Sequence, residues 1–176
     1  MSLEQAALSR LGLERLAHAL AGRQGCSDVL SRGPSNRRVF EQIWDEADAN
    51  AWLICWNELQ DTGWHDHDHS AAAILVLSGQ VQEERLRLAG APTARILGAG
   101  QTFYVPPSAI HRVLHTGAGP AVTIHVYSPP LARTGAYSLG PEGELQRLAQ
   151  SYEEELRMEE SMTLLEPAPA VTLTAR

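Results

Sequence analysis

Four of the seven histidines in this 176-residue chain stand where imidazoles can share work. His65, His67 and His69 occupy alternate positions, and His111 follows a separate apolar run. Alternate residues of a strand lie on one face. Two imidazoles on such a face can point at a common ion, and a third from a neighbouring strand closes a facial ligand set. Taken alone, His-Asp-His-Asp-His fits a solvated polar turn equally well. A second row is Thr123, His125 and Tyr127, which alternate along one apolar run and could relay hydrogen bonds towards a metal. A strand tyrosine is ordinarily a half-buried core residue. A histidine two positions before it is unusual on a core face and favours function.

The elements that must position these residues follow from the rhythm after Ala51. Short apolar runs occur at Trp52–Trp56, Ala73–Leu77, Arg95–Leu97, Thr102–Val105, Ile110–Leu114 and Ala121–Tyr127. Each is followed by a Gly, Pro or Asp break, as at Asp61-Thr62-Gly63, Ser78-Gly79 and Pro106-Pro107, and this punctuation predicts strands of a sandwich or barrel. Before them, residues 3–22 place Leu3, Ala7, Leu11, Leu16 and Leu20 at helical spacing, predicting an amphipathic helix. Gly25 to Ser35 reads as a loop, and Arg38 to Glu46 as the start of a second helix. After Pro141 the chain turns Glu-rich and loses apolar periodicity.

The expected organisation is one domain, with an N-terminal helical segment (1–50) packed on a barrel core (51–140). A peripheral C-terminal segment and tail (141–176) complete the chain. Composition sets limits on function. Charged residues make up 20% and hydrophobic ones 44%, the balance of an ordinary globular protein. A net charge of −7 argues against nucleic acid, whose phosphates are bound by clustered Lys and Arg. No run reaches the roughly 18 apolar residues of a spanning helix, so no membrane role is expected. Cys26 and Cys55 cannot form a disulfide framework, and no basic stretch precedes an apolar signal core. The expected location is the cytoplasm.

Two segments resemble the motifs of the cupin superfamily. Gly100 to His111 carries a glycine, then five residues, a proline, and a histidine five positions later. His65 and His67 fill the HxH of the other motif, and Gly79 its closing glycine. The resemblance implies a mainly β fold, a single cupin (jelly-roll) β-barrel with N-terminal helices. The motif's acidic ligand would fall at about Ala71 or Ala72, and neither can bind a metal. Three neutral histidines leave a divalent ion its full charge and open positions, which favours an anionic ligand such as a thiolate.

From Arg38 to Leu131 the chain is similar to the cysteine dioxygenase family. The resemblance is carried by Cys55-Trp56, His65-Asp66-His67, Leu77-Ser78-Gly79 with Glu83 or Glu84, Ile110-His111 and His125-Val-Tyr127-Ser-Pro-Pro130. It implies Fe(II) held by His65, His67 and His111, with Thr123, His125 and Tyr127 in the family's Ser-His-Tyr row. The thioether-forming cysteine of eukaryotic members would fall at Ala72, so this chain cannot make that crosslink. Arg38 stands near the family's carboxylate-binding arginine, with Arg37 one residue away and Arg133 a further candidate. An arginine fork could hold a substrate carboxylate beside the reacting sulfur. Trp64, next to His65, is a candidate pocket wall. His69, His115 and Cys55 are read as solvent, rim and core residues.

The implied activity is oxidation of a small thiol, L-cysteine favoured, to its sulfinic acid with O2, by a monomer or small homo-oligomer. The alternatives are 3-mercaptopropionate or another mercapto acid as substrate, or a cupin that is no oxygenase, such as an isomerase or ligand sensor.

Overall fold

The computed structural model describes residues 7–22, 38–139 and 144–151. Three of its strands, β2 (Asn50–Trp56), β4 (Ala71–Ser78) and β9 (Ala121–Ser128), are buried almost from end to end. Strands that read as unbroken apolar runs need cover on both faces. On one face Ala51, Leu53, Ala73, Leu75, Ile124 and Val126 lie under Leu13, Ala17 and Leu20 of helix α1 (Arg10–Ala21). On the other, Trp52, Ile54, Trp56, Ala72, Ile74, Val76 and Tyr127 meet Val81, Leu97, Phe103 and Val113.

These three strands form the centre of a five-stranded sheet ordered β1-β2-β9-β4-β7, whose edges are β1 (Val39–Asp45) and β7 (Thr102–Val105). The second sheet has six strands. It runs β11 (Leu145–Ser151), β10 (Arg133–Leu139), β3 (His65–Asp66), β8 (His111–Thr116), β5 (Gln80–Arg85) and β6 (Thr93–Gly98). Neighbouring strands pair antiparallel. The fold is the expected mainly β cupin jelly roll, built as two facing sheets rather than a closed barrel.

Alternation along β9 turns Thr123, His125 and Tyr127 inward, while Val122, Ile124 and Val126 face the helix. The row sits in mid-sheet: Trp52 pairs with His125 on one side and Ala72 with Tyr127 on the other.

Several local expectations are corrected. Arg38 to Glu46 does not begin a second helix; Val39–Asp45 is an edge strand paired with β2. A bulge between Gln42 and Trp44 breaks the strict alternation. The apolar pairs Val39-Phe40 and Ile43-Trp44 therefore fall at a spacing that imitates a helix. Helix α1 buries Leu13, Ala17 and Leu20 and leaves Leu11 exposed, so its apolar stripe is offset from the expected one. The Glu-rich side of the chain contributes β11, which is mostly exposed and joins the sheet through its ladder with β10. β5 was hidden by its polar outer face, since only Val81 and Glu83 turn inward and are buried. Leu3, the Gly25–Ser35 loop and residues 152–176 lie outside the described residues.

The turn from β4 to β5 depends on Gly79. Its φ is +71°, and a Cβ there would stand 2.6 Å from both the Ala121 Cα and the Pro120 carbonyl oxygen. The obstacle is backbone, which cannot rotate away. Gly79→Ala is expected to destabilise the fold by about 2 kcal/mol or more. A urea titration checks it as a lower midpoint at unchanged slope.

Candidate metal centre

β3 has only two residues, yet it brings the two sheet neighbours of the site together. His65 pairs directly with His111 of β8. His67 lies just past the end of β3, in a turn closed by the Ser70 amide donating to the His67 carbonyl at 2.9 Å. All three imidazoles are buried. Their Nε2 atoms converge: His67 is 3.2 Å from His65 and 3.2 Å from His111. One ligand atom from each lies within 4.8 Å of the others.

This geometry fits a metal. Nitrogens about 2.1 Å from one ion and at right angles to each other stand about 3 Å apart. The outer nitrogens of His65 and His111 support the same assignment. Nδ1 of His65 lies 3.1 Å from the Gly63 carbonyl, which can only accept, so His65 carries its proton there and presents a lone pair at Nε2. Nδ1 of His111 lies 3.5 Å from the buried carboxylate of Glu83, which favours a proton on that side of the ring. Burial first, and then the neighbouring imidazoles, hold His67 and His111 far below the usual histidine range. Neutral rings with inward lone pairs are what a cation requires.

The second row lies beside the first. The Tyr127 ring meets His67 edge-on with centroids 5.0 Å apart. A chain of hydrogen bonds runs inward: Trp56 Nε1 donates to Thr123 Oγ1 at 2.8 Å, Thr123 contacts His125 Nε2 at 2.9 Å, and His125 Nδ1 contacts the Tyr127 hydroxyl at 3.1 Å. Burial, with repulsion from His65 and Arg38, pushes His125 down to about 3, so its ring is neutral and carries one proton. Either Thr123 or Tyr127 donates to it, not both. When Thr123 donates, His125 Nδ1 donates to the phenol oxygen and the Tyr127 proton is left to point elsewhere.

Arg38 joins this row indirectly. Its guanidinium stacks 5.0 Å from the Trp56 ring centroid and donates to the Asp61 carbonyl. Arg37 lies outside the described residues. Arg133 is not brought to the histidines; 70% of its side chain is exposed, and it lies 3.7 Å from Asp68. The Trp64 ring is buried beneath Arg112, the outward-facing neighbour of His111. His69 is exposed, His115 contacts the Gly119 carbonyl at the surface, and Cys55 packs in the core beneath α1. Ala71 and Ala72 are buried, with Ala72 directly across from Tyr127.

Sequence reasoning left Glu83 as a mere marker and missed the ions that surround it. Glu83 accepts from Arg85 Nε at 2.6 Å and from Arg95. An acid at an inward position of a polar strand was the available signal. Among the described residues, no helix is long and apolar enough to cross a membrane.

A two-sheet jelly roll with three buried histidines converging from adjacent strands defines the metal-binding cupin class. Two solved structures share the fold: a double-stranded β-helix protein from Klebsiella pneumoniae and a protein from Bacillus halodurans. The first aligns with TM-score 0.52 at 16% identity, over 73% of this chain and 98% of its own. The second gives 0.51 at 19%, over 70% and 86%. Residues 35–139 match the family model for cysteine dioxygenase type I. The chain belongs to that family. It is 32% identical to cysteine dioxygenase type 1 of Danio rerio over 105 residues, covering 53% of this chain and 52% of the relative. The human enzyme of the same name is 29% identical over 97 residues, 50% of this chain and 48% of the relative. The chain thus spans about half the length of the curated relatives it matches.

The site predicts its own dependence on each imidazole. Wild-type protein is expected to bind one divalent ion. His111→Ala should lower that affinity by more than the roughly 10–100-fold that loss of an outer hydrogen-bond partner costs. Titration with Co(II), followed by its visible absorption, measures both.

Proposed function

We propose that this protein is an iron(II)-dependent dioxygenase that converts a small carboxylated thiol, L-cysteine foremost, to its sulfinic acid. The observation that carries the reading is the Thr123–His125–Tyr127 row set against a three-histidine site with alanines where an acidic ligand would stand. Membership of the cysteine dioxygenase family supports the same chemistry. An isomerase or ligand sensor need not carry that hydrogen-bonded row. A reducing cytoplasm, which keeps both iron(II) and thiols in the required state, is the compartment this chemistry suits.

The overall reaction is RSH + O2 → RSO2H: two S–O bonds form, the O–O bond breaks, sulfur gives up four electrons and dioxygen takes them. Iron(II), when bound by His65, His67 and His111, supplies the redox chemistry and sites where thiolate and dioxygen meet. The chain's own residues do the rest. The neutral ligand set leaves the ion's charge to attract thiolate. Arg38, held over the Trp56 ring, offers a planar fork to the substrate carboxylate and so fixes the sulfur's position. Tyr127, oriented by His125, presents a hydroxyl that can donate to developing negative charge on oxygen. Trp56 closes the row at its far end through Thr123 and excludes water by its burial.

The carboxylate fork serves 3-mercaptopropionate as well as cysteine, so the thiol panel must contain both. Iron-reconstituted protein should consume oxygen with L-cysteine and yield a product heavier by two oxygen atoms. Fully iron-loaded protein that takes up no oxygen with any thiol would sink this reading. Arg38→Ala should raise KM for carboxylated thiols about 10-fold or more with iron content unchanged, whereas a thiol lacking the carboxylate should show no such change.

A further inference from the structure

The two-residue strand β3 has little backbone pairing to hold it. It meets β8 at His65 alone and β10 at His65 and Asp66. His67 lies beyond the last pair, followed by Asp68 at φ +53°, a backbone conformation costly for a side-chain-bearing residue. Some other interaction must keep this turn, and the imidazole before it, in place.

Asp66, between the two histidines, carries that interaction. Alternation turns its carboxylate away from the imidazoles. There it accepts from Arg147 Nε at 2.7 Å and Nη2 at 2.9 Å, from the Tyr137 hydroxyl at 2.6 Å, and from the Asp68 amide at 2.8 Å. The last bond fixes the strained turn directly, and Arg147 lies a further 3.8 Å from the Asp68 carboxylate. The side-chain donors come from outside the ligand strands: Tyr137 from β10 and Arg147 from the edge strand β11. Arg147 reaches Asp66 by lying across Gly135. A Cβ at that position would stand 2.1 Å from its Nε and 2.4 Å from its Cζ. Bareness at Gly135 and the guanidinium of Arg147 are therefore two halves of one device.

We infer that Arg147, passing over Gly135 to grip Asp66, is a positioning residue that holds the His65–His67 segment in metal-binding geometry. Arg147 lies beyond residues 35–139, the part of the chain that matches the family model, whereas Asp66, Gly135 and Tyr137 lie within it. The inference rests on the metal reading of the three histidines. It gives strand β11 a task that packing does not explain, since Leu145 and Leu148, on its two opposite faces, are both exposed.

Co(II) affinity, and the rate at which excess EDTA removes the ion, separate this role from plain stabilisation. A merely structural clamp would lower the stability of metal-free and loaded protein alike and leave affinity unchanged. Arg147→Ala should bind Co(II) about 10-fold to 100-fold more weakly, the range for lost outer partners of metal ligands, and release it faster. Gly135→Ala, which keeps Arg147 but drives its guanidinium off Asp66, should do the same; Gln150→Ala, on the same strand, should match wild type. Should Arg147→Ala fail to fold, Arg147→Lys, which keeps a charge and loses the two-pronged grip, is measured in its place. Wild-type affinity and release in these variants, with wild type itself binding one Co(II), would overturn the inference and leave the metal site standing. A wild-type protein that binds no Co(II) would overturn both.

Discussion

Three imidazoles with their lone pairs aimed at one another form an arrangement that a folded chain does not adopt freely. Each ring is removed from water, and the inward nitrogens of neighbouring rings stand 3.2 Å apart. Burying polar nitrogens without full partners costs free energy that the rest of the fold must offset. The direct His65–His111 pair sets the spacing, because residues opposite each other in an antiparallel ladder have their side chains within reach. A slip of one residue between β3 and β8 would turn one ring to the opposite face and dissolve the set. The six-stranded sheet is thus constrained at its narrowest strand.

The five-stranded sheet answers a different demand. Its central strands are packed on both faces, so that α1 covers one set of alternating residues while the other set lines the site. The apolar contacts on the helix side bring Thr123, His125 and Tyr127 to fixed depth without any of the three having to contribute to that packing. Rigid strands are the better platform for a hydrogen-bonded row, whose members must meet within a few tenths of an ångström. Trp56 shows how tightly the two functions interlock: its indole is core, its N–H ends the row, and its face carries Arg38.

How much of this was legible in the sequence follows from which signals are local. The six apolar runs after Ala51 are strands because period and punctuation are written within a few residues, and the alternation of Thr123, His125 and Tyr127 needs no partner to be read. Val39–Asp45 was misread because its bulge converts a period of two into pairs at helical spacing. β3 and β11 carry no apolar pattern at all; one exists through the rings it positions, the other through its ladder and one arginine. The His65–His67–His111 convergence was legible as motif spacing, whereas the link from Arg147 to Asp66 joins residues far apart in sequence, and that from Arg95 to Glu83 depends on the β5–β6 register; the residue types alone say only "surface charge". Arg133 and Trp64 were drawn to the site by proximity in sequence, and alternation sends both to the other side of the sheet.

The distribution of charge ties these observations together. Two buried carboxylates lie near the converging rings: Glu83 behind His111, and Asp66, between His65 and His67 in the chain, turned to the opposite face. Left alone, two buried negative charges would offset most of the field of a divalent ion and repel an anionic ligand. Neither is left alone. Glu83 lies between Arg85 and Arg95, and Asp66 is gripped by Arg147, whose hydrogen bonds, working against the opposing effect of burial, hold it well below the usual carboxylate range. Each acid can therefore orient its imidazole or turn while an arginine cancels its charge at longer range. With alanines at the acid position of the motif and the nearby acids compensated, the charge of a divalent ion held by the three rings would remain available to an entering anion. On the dioxygenase reading that anion is a thiolate with a carboxylate at its other end, which meets a cation at each.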